Sequence, residues 1–326
     1  MMILLTGASG YLGSQIAQEL IRQGEPFRVL ARDPSRLPFD PAACGCDIVV
    51  GELNDGGALA AAVKGVRYVI HSAGLVKMWV RDKQKFWYVN VRGLKALLEE
   101  ADFAGVERVV YTSSFIAAGP SADPNAGEGL KASAPYFNEY HETKSTALNW
   151  LRKEGFARHP VIAMLPGVIY GPGPATEGNL VGGMIERYLK GIFPALIGNG
   201  AQRWSFAFNR EVAQAHIAAL SKGRPGEEYF LAGDNRSLNE FYRILAEQTR
   251  VHRHVSHLSF GMAKAAGAIE VASARLFGQQ PELTPGVVEI FKHDWVYSSA
   301  KAVQELGYRV VPLEEGLRQT LEARRG

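Results

Sequence analysis

The sequence predicts an α/β fold in which a doubly wound parallel sheet is followed by a smaller, mostly helical C-terminal lobe. Three observations carry this. Short, β-branched and nearly continuously apolar runs at 2–5, 27–31, 47–50, 68–71, 109–112 and 161–165 read as strands buried on both faces. Helical patterns at 12–23, 83–103 and 142–154 lie between them, and that alternation implies right-handed crossovers onto a parallel sheet. After Pro166 the rhythm breaks at Gly171-Pro172-Gly173-Pro174, and shorter helical segments follow, with few strands, 206–208 and 229–231 among them. The expected sheet domain is 1–165, with the helix 211–221 in a segment 205–225 packing back on it; 166–204 and 226–326 form the expected second lobe.

Composition supports a large core and narrows the partners. The chain has 326 residues, 47% of them hydrophobic. Its 36 basic and 33 acidic residues give a net charge of +3 and are scattered, so nucleic acid is not an expected partner. The first residues lack the basic and apolar stretches of a signal peptide. Lys264, Glu270 and Arg275 interrupt the most apolar late segment, 258–277. It therefore reads as a buried or pocket-lining amphipathic helix, and no membrane span is expected. Cys44 and Cys46 stand alone in a Cys-Gly-Cys segment; they read as reduced thiols of a cytoplasmic protein, with no metal site. A monomer or a homodimer is expected.

The first strand runs into Thr6-Gly7-Ala8-Ser9-Gly10-Tyr11-Leu12-Gly13, which opens the first helix. Gly7 permits the tight turn, Gly10 admits a pyrophosphate to the backbone, and Gly13 lets helix and sheet pack closely. The helix start offers free N–H groups to the phosphates. In this strand–turn–helix context the pattern predicts a Rossmann dinucleotide site. The second strand ends at Ala31, where an NAD site wants an acid, and Arg32 follows with Arg36 one turn on. A guanidinium there suits a 2′-phosphate, so NADP(H) is favoured over NAD(H). Asp33, slipped by two residues, keeps NAD open.

Tyr140-His141-Glu142-Thr143-Lys144 puts Tyr140 and Lys144 on one helical face. A free phenol titrates near pH ~10, and an adjacent ammonium brings it toward neutrality for proton transfer. The spacing is cheap, since Tyr297-Ser298-Ser299-Ala300-Lys301 repeats it. Position favours Tyr140, between the fifth and sixth strands at the sheet's carboxyl edge; Tyr297 reads as structural. Val109-Val110-Tyr111-Thr112-Ser113-Ser114 brings hydroxyls off the fifth strand, where one donates to a carbonyl or nascent alkoxide.

Together these residues resemble the extended short-chain dehydrogenase/reductase family over almost the whole chain. TGASGYLG resembles its glycine turn; Gly51-Glu52-Leu53-Asn54-Asp55 its adenine-side segment, with Glu52 for the usual Asp; Tyr68 to Gly74 the segment under the cofactor; the VNVRG around Asn90 a helix motif; and LPGVIYGPG the stretch beside the nicotinamide. The resemblance implies Ser114, Tyr140 and Lys144 as the catalytic set. It implies cofactor contacts from Gly7, Ser9, Gly10, Tyr11, Leu12, Arg32, Glu52, Leu53, Ser72, Ala73, Gly74, Thr112, Lys144, Pro166, Gly167 and Val168. ARDP after the second strand and HDWVYSSAKAVQELGY near the C-terminus resemble the branch of dihydroflavonol reductases and 3β-hydroxysteroid dehydrogenases. That branch implies an NADPH-dependent carbonyl reductase or alcohol dehydrogenase acting on a hydrophobic or aromatic ketone or aldehyde, with Lys77, Met78, Trp79, Trp204 and 258–277 as apolar walls. A nucleotide-sugar epimerase or dehydratase holding NAD tightly, with Arg203 on a diphosphate, is the alternative. Phe208-Asn209-Arg210 departs from the two acids common in relatives.

Overall fold

The computed structural model describes residues 2–132, 135–173, 176, 178–192 and 196–324; Pro174 lies outside them. The first half alternates as its periodicity requires: β1 (Ile3–Thr6), α1 (Tyr11–Gln23), β2 (Phe27–Ala31), α2 (Pro41–Cys44), β3 (Asp47–Val50), α3 (Gly56–Val63), β4 (Tyr68–His71), α4 (Gln84–Trp87), α5 (Gly93–Phe103), β5 (Arg108–Thr112), α6 (Glu139–Trp150), α7 (Phe156–Arg158) and β6 (Val161–Pro166). The second half holds β7 (Val168–Tyr170), α8 (Leu180–Lys190), β8 (Leu196–Ile197), β9 (Arg203–Phe208), α9 (Asn209–Lys222), β10 (Glu228–Leu231), β11 (Asp234–Ser237), α10 (Leu238–Thr249), β12 (His257–Leu258), α11 (Phe260–Phe277), α12 (Pro285–Phe291), α13 (Ala300–Leu306) and α14 (Leu313–Glu322).

The main sheet has seven strands in the order β3-β2-β1-β4-β5-β6-β10, all paired in parallel. Order reverses on either side of β1, which opens a crevice at the carboxyl ends of β1 and β4. Side chains alternate between two cores. Leu4, Val69, Val109 and Val161 face α3, α5 and α6. Ile3, Val29, Ile70 and Ile162 face α1, α9 and α13. Because both faces are covered, the central strands are apolar at nearly every position.

The structure departs from the sequence reading in three places. Glu228–Leu231, assigned above to the C-terminal lobe, is the edge strand of the main sheet, its Phe230 N–H donating to the Glu128 carboxylate at 2.9 Å. The helix expected over 83–103 is broken by a wide π turn at Tyr88–Arg92, and α6 likewise passes into a π turn at Leu151–Gly155. The segment 258–277 forms α11 but supplies little apolar wall. Its buried residues are the small Ala263, Gly267 and Ala274, while Met262, Ile269, Leu276 and Phe277 project outward. A Cβ on Gly267 would stand 2.9 Å from the Thr284 backbone, so close approach to the start of α12 demands small residues on that side.

Two smaller sheets, β11-β9-β7 and β12-β8, build the second lobe. Trp295 joins that lobe to the segments around Ser114 and Tyr140. Its N–H donates to Arg203 O at 2.8 Å, its carbonyl accepts from Ser205 N at 3.0 Å, and its indole Nε1 donates to Ile290 O at 2.8 Å. The ring is fully buried and edge-on to Phe115 and Phe137, which flank Ser114 and Tyr140 in sequence. Trp295→Ala is expected to cost about 4 kcal/mol, the usual loss for a buried Trp whose cavity does not collapse. Urea unfolding checks it, and a loss below about 1 kcal/mol would show that the aromatic cluster repacks. Among the described residues no helix is long and apolar enough to cross a membrane.

Candidate active site

The crevice begins with Gly7, whose φ of +80° only glycine adopts without strain. A Cβ on Gly7 would meet Ala73 N at 2.6 Å, and one on Gly13 would meet Gly7 O at 2.0 Å. The loop is thus clamped between β4 and α1. Gly10 caps α1 without a side-chain hydrogen bond, and the first turn holds no acid. Its N–H groups and the dipole's positive end are left for an anion, which fits a dinucleotide pyrophosphate. Ser9 stands exposed at the loop tip, and Leu12 is buried under it.

Tyr11 offers the crevice only its backbone. Its hydroxyl donates to Gly171 O at 2.8 Å and accepts from Asn209 Nδ2 at 3.3 Å, while Asn209 Nδ2 also donates to Pro172 O. The Asn209 that departs from relatives is therefore a buried tether between the start of α1 and the loop after β7, and neighbouring Arg210 pairs with Glu19.

Beside the glycine loop, Ser72 N donates to Thr6 O at 3.2 Å and Ala73 N to Thr6 Oγ1 at 3.3 Å. The Thr6 hydroxyl also hydrogen-bonds His71 Nδ1, 2.7 Å away. Burial, aided by the charge of Lys144, lowers His71 to about 3, so the imidazole is neutral. Gly74 lies where a Cβ would be 3.4 Å from Lys144 Nζ and 3.5 Å from Asn90 Oδ1.

Ser114, Tyr140 and Lys144 meet at the carboxyl end of β5, each more than nine-tenths buried. Ser114 Oγ accepts from Ile116 N at 3.4 Å, starting a 3-10 turn, and hydrogen-bonds Tyr140. Burial pushes the Tyr140 phenol above its usual range, and Ser114 pulls part of that back. Lys144 Nζ donates to Thr112 O at 2.9 Å and sits 5.1 Å over the Tyr111 ring. Burial brings its ammonium down to about 7.

Thr112 is held from behind. His216 Nδ1–H donates to Val212 O at 2.8 Å, so Nε2 is left to accept from the Thr112 hydroxyl at 2.9 Å. The Thr112 side chain is thereby taken up, and only its backbone is turned to Lys144.

Pro166, Gly167 and Val168 are buried between β6 and β7; Gly167 N donates to Leu231 O at 3.1 Å, and a Cβ there would meet Ser205 O at 2.5 Å. Toward the adenine end, Glu52 is exposed and Leu53 is half-buried against Gly93. Arg32 is exposed after β2 and makes no ion pair among the described residues. Asp33 is occupied, accepting from Ser35 N at 3.0 Å and Ser35 Oγ at 2.6 Å.

Asn90 is the site residue that the sequence reading gave only as part of a motif. It lies in the π turn, fully buried, and its Oδ1 accepts from Leu75 N at 2.8 Å while Nδ2 donates to Thr143 Oγ1 at 3.2 Å. A lone Asn on an otherwise apolar helix face was its signal. The second Tyr-Lys pair is structural: Tyr297 OH donates to Gly119 O at 2.5 Å, and Lys301 pairs with Glu227.

Apolar groups lie around Asn138 and Phe137, the approach to Tyr140 in sequence. Met78 Sδ accepts from Asn138 Nδ2 at 3.7 Å, Phe137 stacks on His293 at 5.1 Å, and Trp79 O accepts from Gln280 Nε2 at 3.0 Å. Trp204 is buried against Phe291. Arg203 is spent: its Nη2 contacts Asp294 Oδ2 at 2.9 Å and Ala122 O at 2.9 Å, and its Nε and main-chain N also bond Asp294.

A family model described as the NAD dependent epimerase/dehydratase family matches residues 3–232. A Synechocystis sp. protein provisionally named dihydroflavonol 4-reductase is 27% identical over 96% of this chain and 91% of its own. A Mycobacterium tuberculosis protein named 3 beta-hydroxysteroid dehydrogenase/Delta 5-->4-isomerase is 29% identical over 94% of this chain and 85% of its own. Among solved structures, MoeE5 in complex with UDP-glucuronic acid and NAD superposes with a TM-score of 0.79 at 24% identity, covering 100% of this chain and 99% of that one; at this identity the likeness speaks for the fold.

Proposed function

The chain belongs to the NAD dependent epimerase/dehydratase family, of the extended short-chain dehydrogenase/reductase type, and from that we propose that it is an NADPH-dependent carbonyl reductase, or the reverse alcohol dehydrogenase, acting on a hydrophobic or aromatic ketone or aldehyde. The nicotinamide, when bound, supplies or accepts the hydride. Tyr140 gives the proton to the substrate oxygen, and Ser114 donates a hydrogen bond to it. Ser114 offsets part of the burial that raises Tyr140, and an ammonium on Lys144 favours the phenolate. Gly7, Gly10, Gly13 and the uncapped start of α1 hold the pyrophosphate, with Ser72–Gly74 and 166–168 lining the rest.

The observation that carries the reductase over a nucleotide-sugar enzyme is Arg203. In the alternative reading that guanidinium binds a diphosphate, and here it is already paired with Asp294. The alternative draws support from the NAD-bound, sugar-nucleotide-binding neighbour of the same fold. Analysis of the nucleotide released on denaturation separates the two readings. Exchangeable binding with NADPH preferred supports the reductase; stoichiometric NAD, with turnover of a UDP-sugar, overturns it.

The choice of NADP rests on Arg32, exposed after β2, and on Asp33, whose Oδ1 already accepts both Ser35 bonds. Arg32→Ser is expected to raise KM for NADPH at least about tenfold and leave KM for NADH unchanged, the usual worth of a charged hydrogen bond. Equal effects on both cofactors would remove the 2′-phosphate role.

A further inference from the structure

α11 is inside out for a helix of a globular protein. Its small residues Ala263, Gly267 and Ala274 are buried, and most of its large ones meet water. Met262, Ile269 and Leu276 stand seven apart on one face, 64%, 71% and 78% exposed, with Phe277 at 74%. Ala265 and Ala272, also exposed, continue the stripe between them. An apolar stripe this continuous marks a surface that something covers.

The segment leading into it is basic, while Lys264 on the helix itself is already paired with Glu289 at 2.9 Å. Arg250, His252, Arg253, His254 and His257 are exposed just before α11. Between residues 250 and 278 stand four Lys or Arg against one acid, a net +3, and this equals the net charge of the whole chain. The single acid, Glu270, is turned inward, accepting from Glu282 N at 2.8 Å and Leu283 N at 2.9 Å.

We propose that α11 docks on an anionic membrane surface. The helix lies in the plane of the interface, with Met262, Ile269, Leu276 and Phe277 in the acyl boundary and the 250–257 cations on lipid phosphates. A second copy whose helix ran parallel to this one would set the cationic segment against itself, which makes it the poorer occupant. The helix docks without crossing, since Lys264, Glu270 and Arg275 interrupt it. Docking also places the bilayer beside the active site: Gln280, just past α11, bonds Trp79, and Gly286 of α12 packs on Phe137 next to Tyr140.

The test is sedimentation of the full chain with vesicles of phosphatidylcholine alone or mixed equally with phosphatidylglycerol. Binding to the mixed vesicles is expected, falling with added salt. Leu276→Glu should weaken it at least about tenfold through lost apolar burial, and Arg253→Ser about fivefold. Hydrogen exchange of the wild-type chain, which needs no variant, should slow over 250–277 when mixed vesicles are added. No sedimentation of the wild type, or binding that survives Leu276→Glu, overturns the proposal. A dimer seen by light scattering that Leu276→Glu dissociates overturns it in favour of a second copy. Sedimentation needs no turnover, so its failure leaves the reductase reading standing.

Discussion

Tyr140→Phe is expected to lower kcat by at least about a hundredfold, the lower end for a lost general acid, while NADPH binding is unchanged. The ring is 7% exposed, so Phe keeps its packing. What disappears is the hydroxyl that hydrogen-bonds Ser114 and would protonate the substrate oxygen. Lys144 and the glycine loop, proposed to hold the cofactor, are untouched. Steady-state kinetics beside a fluorescence titration with NADPH give both numbers. Turnover at the wild-type rate would remove Tyr140 from the chemistry; a joint loss of turnover and cofactor binding would make it a structural residue.

Acid should destabilise the fold well before its carboxylates titrate. Burial lowers His71 to about 3, and His141 and His216 to about 4, against the ordinary value of ~6.5 expected in the unfolded chain. Their folded pKa values lie below the unfolded ones, so the stability they contribute is complete above pH ~6.5 and is lost as pH falls toward 4. With three such groups, unfolding takes up about three protons near pH 5, and stability drops by about 5 kcal/mol between pH 6.5 and pH 5. Urea denaturation at a series of pH values measures the slope. A change below about 1 kcal/mol would mean that these imidazoles hold their protons in the folded chain. His216 also fixes Thr112, whose carbonyl holds Lys144, so activity should decline with the same midpoint as the local structure.

Much of this was legible because its signals are local. The glycine turn, the 3.6-residue periodicity and the Tyr140–Lys144 spacing each lie within a dozen residues. What escaped the sequence was set by pairing across long separations. β10 joins β6 through backbone bonds that no composition announces. Arg203 is neutralised by Asp294, ninety-one residues away. Tyr11, inside the most recognisable motif, turns its side chain to Gly171 and Asn209. In α11 the hydrophobic pattern was visible but its direction was not, because periodicity reports a face without saying what it meets.

The wide turn at Tyr88–Arg92 has a consequence for how such sequences diverge. A π turn holds one residue more than regular helix requires. Removing a single residue there would close it into an ordinary α-helix and keep Gly93–Phe103 on the sheet. Everything before the turn would rotate by about 100°. Asn90 would leave Leu75 and Thr143, and Phe86 would lose its place in the core. A one-residue gap in this helix between two homologues therefore separates chains that share the fold from chains that share the site.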